Sequence, residues 1–239
     1  MKKVYEQIVQ KKSLAVLIDP DKVTEQDCIS LAQSAEKNGI DFLFVGGSLI
    51  TSPNLHTTVA AIKKACALPV ILFPGNNLYI DPTADALLLL SLISGRNPDL
   101  LIGQHIAAAP ILKSSPLEIL STGYILIDGG KPTTVSYISN TTPIPADKGD
   151  IAACTAIAGE LLGMKLIYLD AGSGAEKAIS PQTIRLVKKS IDVPLIVGGG
   201  IRTVDQAKQA YDAGADLVVV GTQIENTPEF IKELTKLIR

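Results

Sequence analysis

Eight short apolar runs recur along the chain, separated by stretches whose apolar residues fall at helical spacing. The runs are Leu14 to Ile18, Phe42 to Val45, Val70 to Phe73, Ala86 to Leu90, Tyr124 to Ile127, Leu166 to Leu169, Leu195 to Val197 and Leu217 to Val220. This alternation marks repeated βα units, in which parallel strands are buried on both faces. Eight units in 239 residues fit a single (β/α)8 TIM barrel, with one domain over residues 1–239. Only 4% of the residues are aromatic and none is Trp, so the core must be built mainly from Val, Ile, Leu and Ala.

Several helices carry their own start and stop marks. Thr24 with Asp27 forms a capping box ahead of Cys28, Leu31, Ala32 and Ala35, and Asn38-Gly39 ends that helix. Thr203 with Gln206 is a second box, and Ser180-Pro181 and Thr227-Pro228 each place an N-cap before a first-turn proline. Gly39 to Gly46 and Gly214 to Gly221 share a Gly-x-Asp, apolar run, Gly frame, and Pro69 and Pro194 each open a strand, as expected where a barrel reuses its αβ turns.

Two stretches break the rhythm. Pro74 to Pro82 is too short and too rich in helix breakers for an ordinary helix, so the third outer helix is expected to be replaced by an irregular segment. Asp128 to Asp150 is a long polar insert after the fifth strand, on the side where such barrels carry function.

Composition removes several classes. With 22 basic against 24 acidic side chains the net charge is −2, too little field for generic nucleic-acid binding. Cys28, Cys66 and Cys154 are odd in number, scattered and without a CxxC pair, which suggests neither a disulfide framework nor a zinc site and fits a reducing cytoplasm. The polar start, Met1 to Lys12, and the lack of any apolar run near the roughly 20 residues of a membrane span point to a protein without stable membrane insertion.

Active sites of such barrels lie at the C-terminal strand ends. There the chain places Asp19, Gly46-Gly47-Ser48, Asp170-Ala171-Gly172-Ser173-Gly174, Gly198-Gly199-Gly200 and Gly221-Thr222. Backbone N–H groups cradle a phosphate only where no side chain blocks approach, and three glycine-rich turns in adjacent loops favour a phosphate-ester pocket over three structural turns. Asp19 and Ser48 follow neighbouring strands and would give two hard oxygens to one Mg2+. The alternative for Asp19 is an N-cap. Asp170 stands directly before the phosphate loop, within reach of a hydroxyl on the bound molecule, which suits a general base or, alternatively, a carboxylate that orders its own loop. Asp21 and Lys22 read as solvated turn residues, and His56 and His105 as packing or surface residues.

LIDPDK, the Gly-Gly-Ser after strand two, YLDAGSG, VGGGIR and VVVGT, in this order, resemble the geranylgeranylglyceryl phosphate synthase family, which includes heptaprenylglyceryl phosphate synthases. The resemblance implies a cytoplasmic homo-oligomer, dimer-based or hexameric. It also implies Mg2+-dependent transfer of a prenyl group from its diphosphate to the C3 hydroxyl of sn-glycerol 1-phosphate, in ether-phospholipid biosynthesis. Asp19 and Ser48 would bind Mg2+, Asp19 and Asp170 would be catalytic, and Tyr168, Leu169, Asp170, Ala171, Gly172, Ser173, Gly174, Gly199, Gly200, Gly221 and Thr222 would hold glycerol phosphate. The missing third helix would leave a groove for the prenyl tail. Leu17 and Asp170 depart from the branch that has Lys and Glu there, and the chain is similar to the branch with a C20 donor. The competing expectations are a phosphosugar isomerase or cyclase, and a barrel that binds a phosphorylated ligand without turning it over.

Overall fold

In a computed structural model that describes residues 3–76 and 79–237, the chain forms a closed barrel of eight parallel strands in sequential order. The first part of the chain gives helix α1 (Val4–Gln10), β1 (Ser13–Ile18), α2 (Glu25–Asn38), β2 (Phe42–Gly47), α3 (Leu55–Ala65), β3 (Val70–Pro74) and β4 (Ala86–Leu92). A π-helical turn at Asp99–Gly103 then leads into α4 (Gln104–Ser114), β5 (Glu118–Leu126), α5 (Thr134–Ile138), α6 (Gly149–Leu161) and β6 (Leu166–Asp170). The barrel closes through α7 (Pro181–Lys188), β7 (Leu195–Gly198), α8 (Val204–Ala213), β8 (Leu217–Val220), α9 (Thr222–Asn226) and α10 (Phe230–Leu234). Pairing of β1 with β8, Ser13 beside Leu217 through Val16 beside Val220, leaves no open edge.

Each expected strand is present. The fifth begins well before its apolar run, at Glu118, because Glu118, Ser121, Thr122 and Gly123 interrupt the pattern. Glu118 has a structural reason to stand there, since its carboxylate accepts the amides of Val4 (2.6 Å) and Tyr5 (3.2 Å) and so caps α1. That helix buries Val4 and Ile8 against the inner barrel residues, so the polar start of the chain closes the barrel's lower end.

The caps largely follow expectation. Thr24 accepts the Asp27 amide at 3.2 Å, Ser180 accepts that of Thr183 at 3.1 Å behind Pro181, and Thr203 with Gln206 forms the reciprocal box. Gly39 adopts a left-handed cap. Thr227-Pro228 departs from it: the pair forms a turn, with the Phe230 amide bonded to the Thr227 carbonyl at 3.0 Å, and α10 starts only at Phe230.

The repeated Gly-x-Asp frame has a physical cause. Asp41 accepts the Leu14 amide (2.9 Å) and pairs with Lys11, and Asp216 accepts the Leu195 amide (2.7 Å) and pairs with Lys188. Asp85 does the same for Val70, paired with Lys63. Each carboxylate satisfies an amide within the first two residues of a strand at the bottom of the barrel.

Two apolar layers result. One lies between strands and helices, and the other fills the barrel. The second holds most of the few aromatics: Phe44, Phe73, Tyr124 and Tyr168 stack at centroid separations of 5.3 to 6.4 Å. The aromatic rings therefore concentrate inside the barrel, a use that the overall composition does not disclose.

Among the described residues no helix lies between Pro74 and Ala86, as expected. Tyr79 pins this segment to the β2 loop, its hydroxyl accepting the Ile50 amide (2.9 Å) and donating to the Ile50 carbonyl (3.0 Å). Buried Asp81 holds its far end by accepting from Thr83 and pairing with His56 Nδ1 at 2.8 Å. The Asp128–Asp150 insert, expected to be a polar loop, is instead ordered. It contains α5, ends in the first turn of α6, and lies parallel to the end of β5 through an Ile127–Ile144 bridge. Among the described residues no helix is long and apolar enough to cross a membrane.

Candidate active site

The glycine-rich turns after β6, β7 and β8 meet at one point. Ser173 Oγ lies 3.4 Å from Thr222 Oγ1, joining the sixth loop to the eighth, and the Ala171 amide donates to the Gly198 carbonyl at 3.2 Å, joining the sixth to the seventh. Gly199 has φ +80°, and a Cβ there would sit 2.5 Å from Asp170 Oδ1 and 2.7 Å from the amides of Ala171 and Gly172. Only glycine lets the seventh loop approach the sixth this closely. Arg202 fastens the arrangement from behind, with its guanidinium donating to the carbonyls of Ala175 (2.5 Å) and Glu176 (3.0 Å).

Asp170 ends β6 and is buried. Its Oδ1 accepts the Gly172 amide at 2.7 Å, and its Oδ2 accepts the Tyr124 hydroxyl at 2.5 Å. Burial raises its pKa above the usual carboxylate range, and the two hydrogen bonds offset part of that rise. Both readings of Asp170 thus have a basis: it orders its loop, and it is a carboxylate of raised basicity at the pocket wall. Within the Tyr168 to Gly174 stretch, expected to hold glycerol phosphate, the residues differ in what they touch. The amides of Ala171 and Gly172 are used within the fold, Leu169 packs towards the helices, and the Tyr168 ring lies inside the barrel below the pocket.

Across the barrel mouth, Asp19 follows β1. A Cβ on Gly47, the residue before Ser48, would lie 3.7 Å from the Asp19 carboxylate, so the two expected metal ligands come from neighbouring strand ends. Lys22 Nζ pairs with Asp19 Oδ2 at 3.0 Å and with Glu225 at 3.6 Å. Among the described residues no cluster of three or more His, Cys, Asp or Glu side chains is built for a metal. A partly exposed carboxylate and a hydroxyl are nevertheless the donor set that magnesium takes when water and substrate phosphates complete its shell.

Asp21 and Lys22 are more than solvated turn residues. Asp21 accepts from the Thr51 amide (2.6 Å) and hydroxyl (2.9 Å) and from the Ser52 amide (3.1 Å) and hydroxyl, tying the β1 loop to the β2 loop that carries Ser48. Its slight burial acts to raise the pKa, but these hydrogen bonds prevail and hold it down at about 2. Lys22 is the counter-ion of Asp19. As expected, His56 is a surface residue and His105 a packing one; His105 Nε2 sits 2.8 Å from Ser91 Oγ, and burial lowers its pKa, which keeps it neutral near pH 7.

From this mouth an apolar groove of about 310 Å3 runs outward. It starts at Gly47, Ser48 and Gly75, passes Phe73, Leu88 and Tyr124, and continues under Ala108 and Leu112 of α4. The absent third helix opens one side, and Val135 and Ile138 of the insert close another. The insert also packs Thr133 against Gly172, where an added Cβ would meet its Oγ1 at 2.7 Å, so one segment walls both groove and glycine pocket.

The PcrB family model matches residues 6–238. The chain belongs to the PcrB family. Among PcrB relatives, it is 52% identical to a geranylgeranylglyceryl phosphate synthase of Chitinophaga pinensis, over 99% of this chain and 96% of that one, and 55% identical to one of Spirosoma linguale, over 96% and 92%. The PcrB chain also superposes with TM-score 0.94 and 36% identity on the (S)-3-O-geranylgeranylglyceryl phosphate synthase of Thermoplasma acidophilum crystallised with sn-glycerol 1-phosphate, covering 100% of this chain and 99% of that one.

Proposed function

We propose that the chain is a geranylgeranylglyceryl phosphate synthase, a prenyltransferase that joins a geranylgeranyl group to the C3 hydroxyl of sn-glycerol 1-phosphate. The single observation that carries this reading is an apolar groove that runs past Tyr124, whose hydroxyl bonds the buried Asp170 carboxylate beside the converging glycine-rich turns. A groove walled mainly by apolar side chains such as Phe73, Leu88, Ala108 and Leu112 suits an isoprenoid tail, and converging main-chain turns suit a phosphate. The naming of the full-length relatives supports the same activity.

In this reading the turns at Ser173-Gly174, Gly199-Gly200 and Gly221-Thr222 hold the glycerol phosphate, and the groove aligns the allylic carbon of the donor with the C3 oxygen. Holding both partners turns a bimolecular encounter into a positioned one. The C3 oxygen bonds to the allylic carbon while the carbon–oxygen bond to diphosphate breaks, its electron pair leaving on the diphosphate. The hydroxyl proton passes to the Asp170 carboxylate, whose raised pKa suits it to accept. Asp19 and Ser48 would hold Mg2+, which when bound stabilises negative charge on a leaving diphosphate. Lys22 holds a positive charge beside the Asp19 carboxylate.

A cytoplasmic homo-oligomer is part of the proposal. Ile151, Leu161, Leu162 and Leu186, exposed on or beside α6 and α7, are apolar surface of the kind a second subunit covers.

The test is product analysis by mass after incubation with sn-glycerol 1-phosphate and C15, C20 or C35 prenyl diphosphates, with and without EDTA. The expected result is an ether formed fastest from the C20 donor and lost with EDTA. A dominant C35 product would overturn the donor assignment. Binding of glycerol phosphate without any ether product would favour a non-catalytic barrel, and isomerisation of a phosphosugar would favour the other enzyme class.

A further inference from the structure

Asp170 cannot take a proton from substrate in an arbitrary orientation, since one of its oxygens is committed to the Gly172 amide 2.7 Å away. The other is met by Tyr124, whose hydroxyl donates at 2.5 Å from a neighbouring strand, β5, 46 positions earlier in the sequence. Tyr124 is also a groove residue: its ring packs 6.1 Å from that of Phe73 and 5.5 Å from that of Tyr168, and it lines the apolar channel. A single side chain therefore presents its apolar ring to the groove and its polar tip to the carboxylate. Where those two meet is where an allylic carbon and an acceptor hydroxyl must come together.

We propose that Tyr124 is a positioning residue for prenyl transfer, holding Asp170 in the one rotamer that leaves a lone pair facing the glycerol hydroxyl and keeping the carboxylate ionised in an apolar setting. The inference rests on the function proposed above. A hydrogen bond donated to the ionised form favours that form, and without it desolvation acts unopposed on that oxygen. The titratable groups facing Asp170 are Tyr124 from β5 and Tyr168 from its own strand, β6; from the β7 side the neighbour is the backbone at Gly199. Burial and the adjacent carboxylate drive both tyrosines well above their ordinary range, so both stay neutral and Tyr124 remains a donor. A core tyrosine that merely satisfied its own hydroxyl would not need to stand at the junction of groove and pocket.

Tyr124→Phe keeps the ring packing and removes only the donor. The sign follows directly: loss of a bond to the carboxylate raises the Asp170 pKa, so the acid limb of the kcat/KM profile moves to higher pH. The expected shift is about one pH unit, as for loss of one charge-assisted hydrogen bond. At pH 7 kcat is expected to fall about tenfold or more, with KM for the prenyl diphosphate changed less than about threefold because the groove wall is intact. The melting temperature, read in parallel, reports any folding defect. An unmoved acid limb, or an activity loss that is equal at all pH values, would overturn the inference while leaving ether formation by the wild-type chain, and so the proposed function, untouched. Absence of ether product from the wild-type chain would instead remove the function on which the inference rests.

Discussion

Asp19→Asn lowers prenyl transfer at least about 100-fold while leaving the melting temperature nearly unchanged. The two halves of this expectation have separate causes. Asparagine keeps an oxygen that can accept the Asp21 amide, now bonded to Asp19 Oδ1 at 3.1 Å, so the local turn survives. What it loses is a negative charge paired with a half-exposed Lys22, and such surface pairs contribute roughly 0–1 kcal/mol. The same charge is the one hard anionic ligand that Asp19 and Ser48 would offer to Mg2+, so the loss should fall on donor turnover. Metal titration by calorimetry should show weakened Mg2+ binding in the variant. Wild-type turnover from Asp19→Asn would remove this residue from the mechanism.

Gly199→Ala should damage both stability and acceptor binding. Its left-handed φ of +80° disfavours any side chain, and the new Cβ would fall 2.5 Å from Asp170 Oδ1 and 2.7 Å from two amides of the sixth loop. Because two of those contacts are backbone, the loops must separate. A loss of about 2–4 kcal/mol is expected, or a fall of roughly 5–15 °C in melting temperature for a chain of this size. Affinity for sn-glycerol 1-phosphate should drop at least about 100-fold, since the main-chain turns no longer converge. Calorimetry and a thermal melt on the same sample test both parts. Unchanged affinity would mean that the phosphate does not sit between the sixth and seventh loops.

Much of the framework was legible because its signals are local. Parallel strands buried on both faces leave plain apolar runs, and Thr24, Ser180 and Thr203 mark helix starts through hydrogen bonds within three residues. The missing third helix was legible from Pro74, Gly75 and Pro82. The start of β5 was not, because Glu118 and Thr122 serve the barrel's lower end and break the apolar pattern. The helix closing that end left a faint trace in Val4 and Ile8, one helical turn apart among polar residues. Thr227-Pro228 misled because a cap followed by proline also makes a turn, and only the following residues decide between them.

The candidate site divides in the same way. Glycines and carboxylates at strand ends announce themselves once the strands are placed, which is why Asp19, Ser48, Asp170, Gly199, Gly200, Gly221 and Thr222 all fall at the barrel mouth. Tyr124, Arg202 and the loop clamp of Asp21 act through partners 26 to 46 positions away, in contacts that only closure of the barrel creates. Nothing in the local sequence distinguishes Tyr124 from another strand aromatic. Arg202 stood within VGGGIR, but nothing local to that motif reveals its carbonyl partners at Ala175 and Glu176.

The most direct test of the central claim is a crystal structure of this chain with sn-glycerol 1-phosphate. The phosphate should lie on the main-chain amides of the turns at Ser173-Gly174, Gly199-Gly200 and Gly221-Thr222, with the C3 hydroxyl directed at Asp170 and the groove beside Tyr124. A ligand bound elsewhere, or held in that pocket with its hydroxyl turned away from Asp170 and the groove, would contradict it.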